Sequence, residues 1–194
     1  MKTIKPALLA GLMVALSLNL SAQKIKKKEG SLDVLKNESS INVEFTYDDM
    51  SVGKYKKEED YISDKKAEYN KKEPGRGDRW AESWVKDRES RFEPKFIELF
   101  TDASGMSVSD KGKYTLIFHT TSTEPGYNVG IMKKNAFIDA EIIIVETANR
   151  NKVIAKLTMD NSPGRTFMGN DFDTGERISE AYAKAGKSLG KYIK

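Results

Sequence analysis

The chain of 194 residues contains no cysteine. That excludes a disulfide framework, thiolate nucleophiles, thiolate-bound zinc and lipid attachment at a cleavage-site cysteine. A single histidine, His119, excludes metal centres built from several imidazoles and proton relays between two of them. No apolar run reaches the roughly 20 residues needed to cross a bilayer. Charge of one sign is also missing: 33 Lys and Arg face 29 Asp and Glu, for a formal net charge of +4. A nucleic-acid surface would cluster basic residues on one face, whereas Lys54–Glu73 mixes seven lysines with six acids. No internal repeat and no long low-complexity linker occur.

What the sequence does have begins at its start. Lys2 and Lys5 precede the apolar run Ala7–Leu16, and the stretch closes on Ser21-Ala22-Gln23. A charged start, a short apolar middle and a small residue before the cut make a secretory signal peptide. We expect residues 1–22 to be removed, leaving an exported product, periplasmic or secreted, with no membrane span. An exported chain without disulfides fits a bacterial envelope better than a eukaryotic secretory route. Residues 23–40 read as a loose N-terminal arm. Its run Lys24-Ile25-Lys26-Lys27-Lys28 reads as a solvated terminus, with weak contact to an anionic membrane or wall polymer as the sharper alternative.

Cleavage after Ala22 would leave Gln23 to Lys194, long enough to bury about 70% of its unfolded surface, and residues 41–194 read as one domain. Ile41, Val43, Phe45 and Tyr47 alternate with polar residues, which predicts a half-buried strand. Lys54–Glu73 predicts a solvent-facing helix with a thin apolar stripe. Glu73-Pro74-Gly75-Arg76-Gly77-Asp78 ends it. Asp78 is placed to cap a second helix, from Arg79 to about Ser90, carrying Trp80, Trp84, Val85 and Phe92. Pro94 then ends or kinks the helix before Phe96, Ile97, Leu99 and Phe100.

The second half changes period from 3.6 to 2. Tyr114, Leu116, Phe118 and Thr120 fall on one face of a strand, with Thr115, Ile117 and His119 on the other. Ile142-Ile143-Ile144-Val145 is apolar on both faces and marks the middle of the sheet. A turn at 148–151 makes a hairpin with Lys152–Met159, whose inward row is Val153, Ala155, Leu157 and Met159. A loop is expected from Asn161 to Asp173. The last segment predicts a helix with Asp173 and Glu176 as a capping box. Gly186 and Gly190 weaken it, and close approach to the sheet would explain them.

Each candidate for chemistry competes with a plainer reading. Ala185-Gly186-Lys187-Ser188 resembles the tail of a phosphate loop but lies within the terminal helix and lacks the leading glycine. Asp171 and Asp173 resemble the start of a calcium loop, yet Gly175 and Tyr182 stand where its spacing requires other residues. His119 reads as a hydrogen-bonded structural residue, and no Gly-x-Ser-x-Gly elbow accompanies it. Asp139 and Glu141 lie two apart on a strand, so both carboxylates face one side ~7 Å apart along the chain. Paired acids at such separations cleave glycosidic bonds; the plainer reading, a polar edge on a sheet face partly covered by a helix, takes precedence because any solvated strand offers such pairs. Trp80 and Trp84 could form a shelf for sugar rings but read as core. Arg76-Gly77-Asp78 matches an adhesion tripeptide by chance. The loop Ser122–Asn128 joins rigid strands, and Glu124, Tyr127 and Asn128 are its candidate recognition residues.

The order of elements, with Ala140-Glu141-Ile142-Ile143-Ile144-Val145-Glu146 in the sheet and Glu180–Gly190 in the closing helix, resembles exported bacterial proteins of unknown function. It is distantly similar to the small α/β amino-terminal domain of the periplasmic TolB protein. That resemblance carries over no functional residue. The expectation is therefore an α/β (α+β) domain. Its sheet would be mixed, largely antiparallel and of four or five strands, with a C-terminal helix on one face and a helical insert after the first strand. We expect a non-enzymatic envelope module that binds a protein partner or cell-wall component, without cofactor and without nucleic acid. The alternatives are a glycan hydrolase using Asp139 and Glu141, or a calcium-dependent sugar binder.

Overall fold

Three long strands organise the molecule because their apolar residues recur at every second position. The structure, a computed structural model, describes residues 23–129, 132–164 and 174–194. Strand β5 (Tyr114–Glu124) pairs antiparallel with β8 (Ala136–Glu146), which pairs antiparallel with β9 (Asn149–Gly164). Leu116 and Phe118 on β5, Ile142 and Ile144 on β8, and Leu157 and Met159 on β9 are all buried on one face. β2 (Ser40–Thr46) runs parallel to β5, and the short β3 (Ser51–Val52) pairs with β5 farther along, also parallel.

With β1 (Lys24–Gly30) and β4 (Ser107–Val108), the sheet has seven strands in the order β1-β9-β8-β5-β2-β4, with β3 beside β5. It is mixed, and larger than the four or five strands expected. Two of the additions, β3 and β4, are two residues long, too short to show periodicity. The third is β1. The stretch expected as a loose arm is paired antiparallel with β9 and forms the sheet edge. Ile25 packs against the core while the lysines around it stay exposed. A lysine-rich edge discourages further strands from adding to it. Leu35, in the one-turn helix that follows, is buried.

The helical insert lies between β3 and β4. α1 (Glu58–Lys72) is followed by α2 (Arg76–Asp87), a π-helical turn (Arg88–Phe92) and α3 (Glu93–Ser104). Pro94 sits in the first turn of α3, where its missing N–H costs nothing, and the widened turn just before it absorbs the ring. Asp78 does not cap α2, which begins at Arg76. Asn70, near the end of α1, accepts the Gly77 N–H at 2.7 Å, and the Asp78 carboxylate takes Lys66 and Asn70 instead.

β9 continues through Asn161-Ser162-Pro163-Gly164, where a loop was expected. A bulge near Asn161, whose φ is 56°, lets the strand resume pairing with Ala136–Ile138. A second irregularity near Val145 turns Val153 outward, so it leaves the inward row and is exposed.

The terminal helix α4 (Thr174–Ile193) packs on β8 and β9, as expected. Its two glycines have another purpose. A Cβ on Gly186 would lie 2.2 Å from the Phe96 carbonyl oxygen, and one on Gly190 would lie 2.8 Å from that of Phe100. The glycines face α3, not the sheet. Phe92 stacks on Tyr182 at 5.2 Å, so the two helices run side by side in parallel, in register over three turns. Gly→Ala inside a helix ordinarily stabilises by up to about 1 kcal/mol. Gly186→Ala should instead destabilise by about 1–3 kcal/mol through overpacking, read as a lower urea midpoint; an unchanged or higher midpoint would contradict the close approach.

Candidate functional site

The face of the sheet opposite the helices carries the acids proposed for hydrolysis. Asp139 and Glu141 do share that face, but their carboxylates have different surroundings. Asp139 accepts a hydrogen bond from Ser122 Oγ at 2.8 Å and another from the Asn161 N–H at 2.7 Å. Ser122 follows an irregularity in β5, and Asn161 sits at the bulge of β9. One carboxylate thus braces both neighbouring strands where their ladders slip. Glu141 is exposed, directly opposite His119 in register. His119 Nδ1 lies 2.9 Å from Thr46 Oγ1, which gives the imidazole a structural partner.

The recognition loop is mostly strand. Glu124 ends β5, accepts the Gly126 N–H at 3.0 Å and pairs with Lys134 at 2.6 Å. Tyr127 and Asn128 belong to β6 (Tyr127–Val129), which pairs with β7 (Met132–Lys134) in a small hairpin. Tyr127 and Met132 are exposed on it. The structure therefore places Glu124 at the turn that leads to Tyr127 and Asn128. Arg177, which sequence reasoning missed, anchors this turn from α4. It is buried and donates through Nε to the Pro125 carbonyl at 3.0 Å. Its neighbour Ile178 lies on the apolar stripe, and a charge beside such a stripe was the available signal. Asp171 and Asp173 lie outside the described residues.

A polar chain runs beneath the helices. Trp84 Nε1 donates to Glu58 Oε1 at 2.6 Å, and Arg88 pairs with the other oxygen of Glu58. The Arg88 guanidinium lies 4.2 Å from the centroid of the Tyr47 ring, and the Tyr47 hydroxyl donates to Glu93 at 3.1 Å. Burial pushes the Tyr47 hydroxyl well above its ordinary range, with neighbouring Tyr182 and Glu93 acting in the same direction. Desolvation also raises the Glu93 carboxyl, against the hydrogen bond from Tyr47. These residues link α1, α2, the π turn, β2 and α3, so the chain is a brace.

The feature most suited to holding a ligand is a cleft of about 500 Å³ between α2 and the start of α4. Tyr69, Trp80 and Trp84 supply its rings, and Arg76, Ser83, Asp87 and Arg91 its polar groups. Trp84 is buried, as expected for core, whereas Trp80 is half-buried. The indoles stack with centroids 5.7 Å apart and planes at 29°, and Tyr69 lies 5.6 Å from Trp80. Arg76 is held with its guanidinium 5.3 Å from the Tyr69 ring centroid. Asp87 and Arg91 pair at 3.2 Å. The volume falls within the usual range for small-molecule sites.

No family model matches the chain, and no curated protein matches it. Among solved structures it is similar to the PelC dodecamer of Paraburkholderia phytofirmans, with a TM-score of 0.41 at 12% identity over 87% of this chain and 97% of that one. A point variant of the same protein gives a TM-score of 0.38 at 10% identity, over 84% and 97%. Likeness at this level assigns neither site nor activity.

Two outcomes follow from the geometry. Asp139→Ala should cost about 1–3 kcal/mol by stranding a hydroxyl and a backbone N–H, while Glu141→Gln should change stability by less than about 0.5 kcal/mol. Urea unfolding of the pair checks this, and equal effects would contradict the bracing role. The raised Glu93 carboxyl favours the protonated form in the fold. Its contribution is therefore present below the ordinary carboxylate value and lost as pH rises through the raised one. Glu93→Gln should flatten that decline in a pH series of melting temperatures.

Proposed function

We propose that this protein is an exported, non-catalytic module of the bacterial envelope that binds a protein partner or a cell-wall component. The leader motif of residues 1–22 supports export. The observation that carries the non-catalytic reading is the Asp139 carboxylate, held by Ser122 and Asn161 between two strand irregularities. A hydrolytic acid must approach its substrate with an oxygen available for proton transfer or attack. Asp139 instead commits one oxygen to each neighbouring strand. Glu141 lies exposed on a sheet face, where water competes for any proton it would deliver. Asp139 and Glu141 thus support the module over the glycan hydrolase. Ring faces and guanidinium groups in the α2–α4 cleft suit recognition.

Among the described residues, no helix is long and apolar enough to cross a membrane. We expect fractionation of the native host to place the protein outside the cytoplasm, with Gln23 as its first residue by mass spectrometry. Pull-down and crosslinking from the envelope, beside binding to purified wall polymers, should recover a partner from one of the two. A cytosolic product that retains Met1 would overturn export, and turnover of a glycan that depends on Asp139 would overturn the non-catalytic reading.

A further inference from the structure

Resting on the binding-module reading, we propose that the cleft between α2 and α4 binds an acidic saccharide, with Trp80 as the platform for a sugar ring and Arg76 as the clamp for its carboxylate. Among the described arginines, Arg79, Arg88, Arg91 and Arg150 each pair with a carboxylate, and Arg177 is buried on the Pro125 carbonyl. Arg76 is exposed and makes no ion pair with any described residue. It is nevertheless oriented, because its guanidinium lies over Tyr69 at the cleft wall. Tyr69 also has Lys65 and Lys72 near its ring, and the cation–π contact leaves the Arg76 N–H donors unused. Those donors match a carboxylate bidentately.

The rest of the lining selects the body of the ligand. Trp80 is half-buried against Trp84, Tyr61 and Tyr69, so its ring is rigid and partly presented to the cleft. An indole surface accepts the C–H face of a pyranose. Ser83 is exposed at the same cleft and Asp87 is half-buried there; a hydroxyl and a carboxylate are suitable partners for sugar hydroxyls. The Asp87 carboxylate, paired with Arg91, also opposes ligands as highly charged as phosphate esters. The combination of one clamping arginine, one ring platform and short polar partners fits a singly charged sugar unit repeated in a chain.

The protein has two tryptophans, Trp80 and Trp84, and both line this cleft. Tryptophan emission therefore reports occupancy directly. The mature chain, titrated with a galacturonate trimer, should give a saturable change in emission, and an uncharged glucose trimer should bind at least about tenfold more weakly. Arg76→Ala should weaken the galacturonate response about tenfold while leaving the far-ultraviolet circular dichroism and the urea midpoint unchanged, because the side chain is exposed. No response at millimolar galacturonate would overturn the site, as would a response equal for both trimers or for inorganic phosphate. An Arg76→Ala titration identical to the wild type would do the same. Recovery of the same wall material by wild type and Arg76→Ala, with no galacturonate response from either, would sink the cleft and leave the module reading standing. A cytosolic, unprocessed product would sink the module reading while the titration still decides the cleft.

Discussion

The structure depends on how closely two helices approach. α3 and α4 lie in parallel with the backbone of one against the other, at Gly186 beside the Phe96 carbonyl and Gly190 beside that of Phe100. Only hydrogen fits at those positions, because a methyl group would enter the van der Waals shell of a carbonyl oxygen. That approach puts Phe96, Phe100 and Tyr182 over the sheet, where Phe96 meets Phe118 at 4.7 Å and Phe45 at 5.2 Å. The aromatic layer between helices and sheet follows from two missing side chains on α4.

The same layer determines where polar groups are tolerated. Tyr182 is fully buried, and its hydroxyl finds Thr120 at 2.6 Å. Beside it, Glu58 and Arg88 are half-buried and satisfy each other, with Trp84 and Tyr47 completing the set. Ionic groups withdrawn from water in this way add little stability over apolar replacements, but removing one partner strands the other. They therefore act here as positional constraints between α1, the π turn and β2. Trp84 has a share in this brace and in the α2–α4 cleft, so the brace fixes the platform on which Trp80 is stacked.

Legibility varied with the physical origin of each feature. Alternation in Tyr114–Thr120 reports a sheet with one covered face, and the structure places Leu116 and Phe118 inside and His119 on the far side. The stripe of Ile178, Ala181, Tyr182, Ala185 and Leu189 identifies α4 in the same way. β1 was illegible because its sequence, lysine at four of seven positions, describes an exposed edge; its pairing comes from β9. Pro163 and Gly164 look like loop residues, yet they are strand because a bulge at Asn161, held by Asp139, brings them back into register. The pairing of Asp139 with Glu141 on one face was readable, but the use of Asp139 as a brace was not, since Ser122 and Asn161 are distant in sequence.

Residue content and local pattern were enough to fix the balance of charges, the absence of thiol and multi-histidine chemistry, the periodic strands and the amphipathic closing helix. These are local or compositional properties, fixed by which side chains exist and how they repeat. Tertiary structure alone decided which faces the glycines of α4 touch, that an exposed lysine run becomes an edge strand, and that Trp80, Arg76 and Tyr69 line one cleft. Those outcomes require contacts between segments far apart along the chain, where close packing and hydrogen-bond satisfaction select among arrangements that local pattern leaves equal.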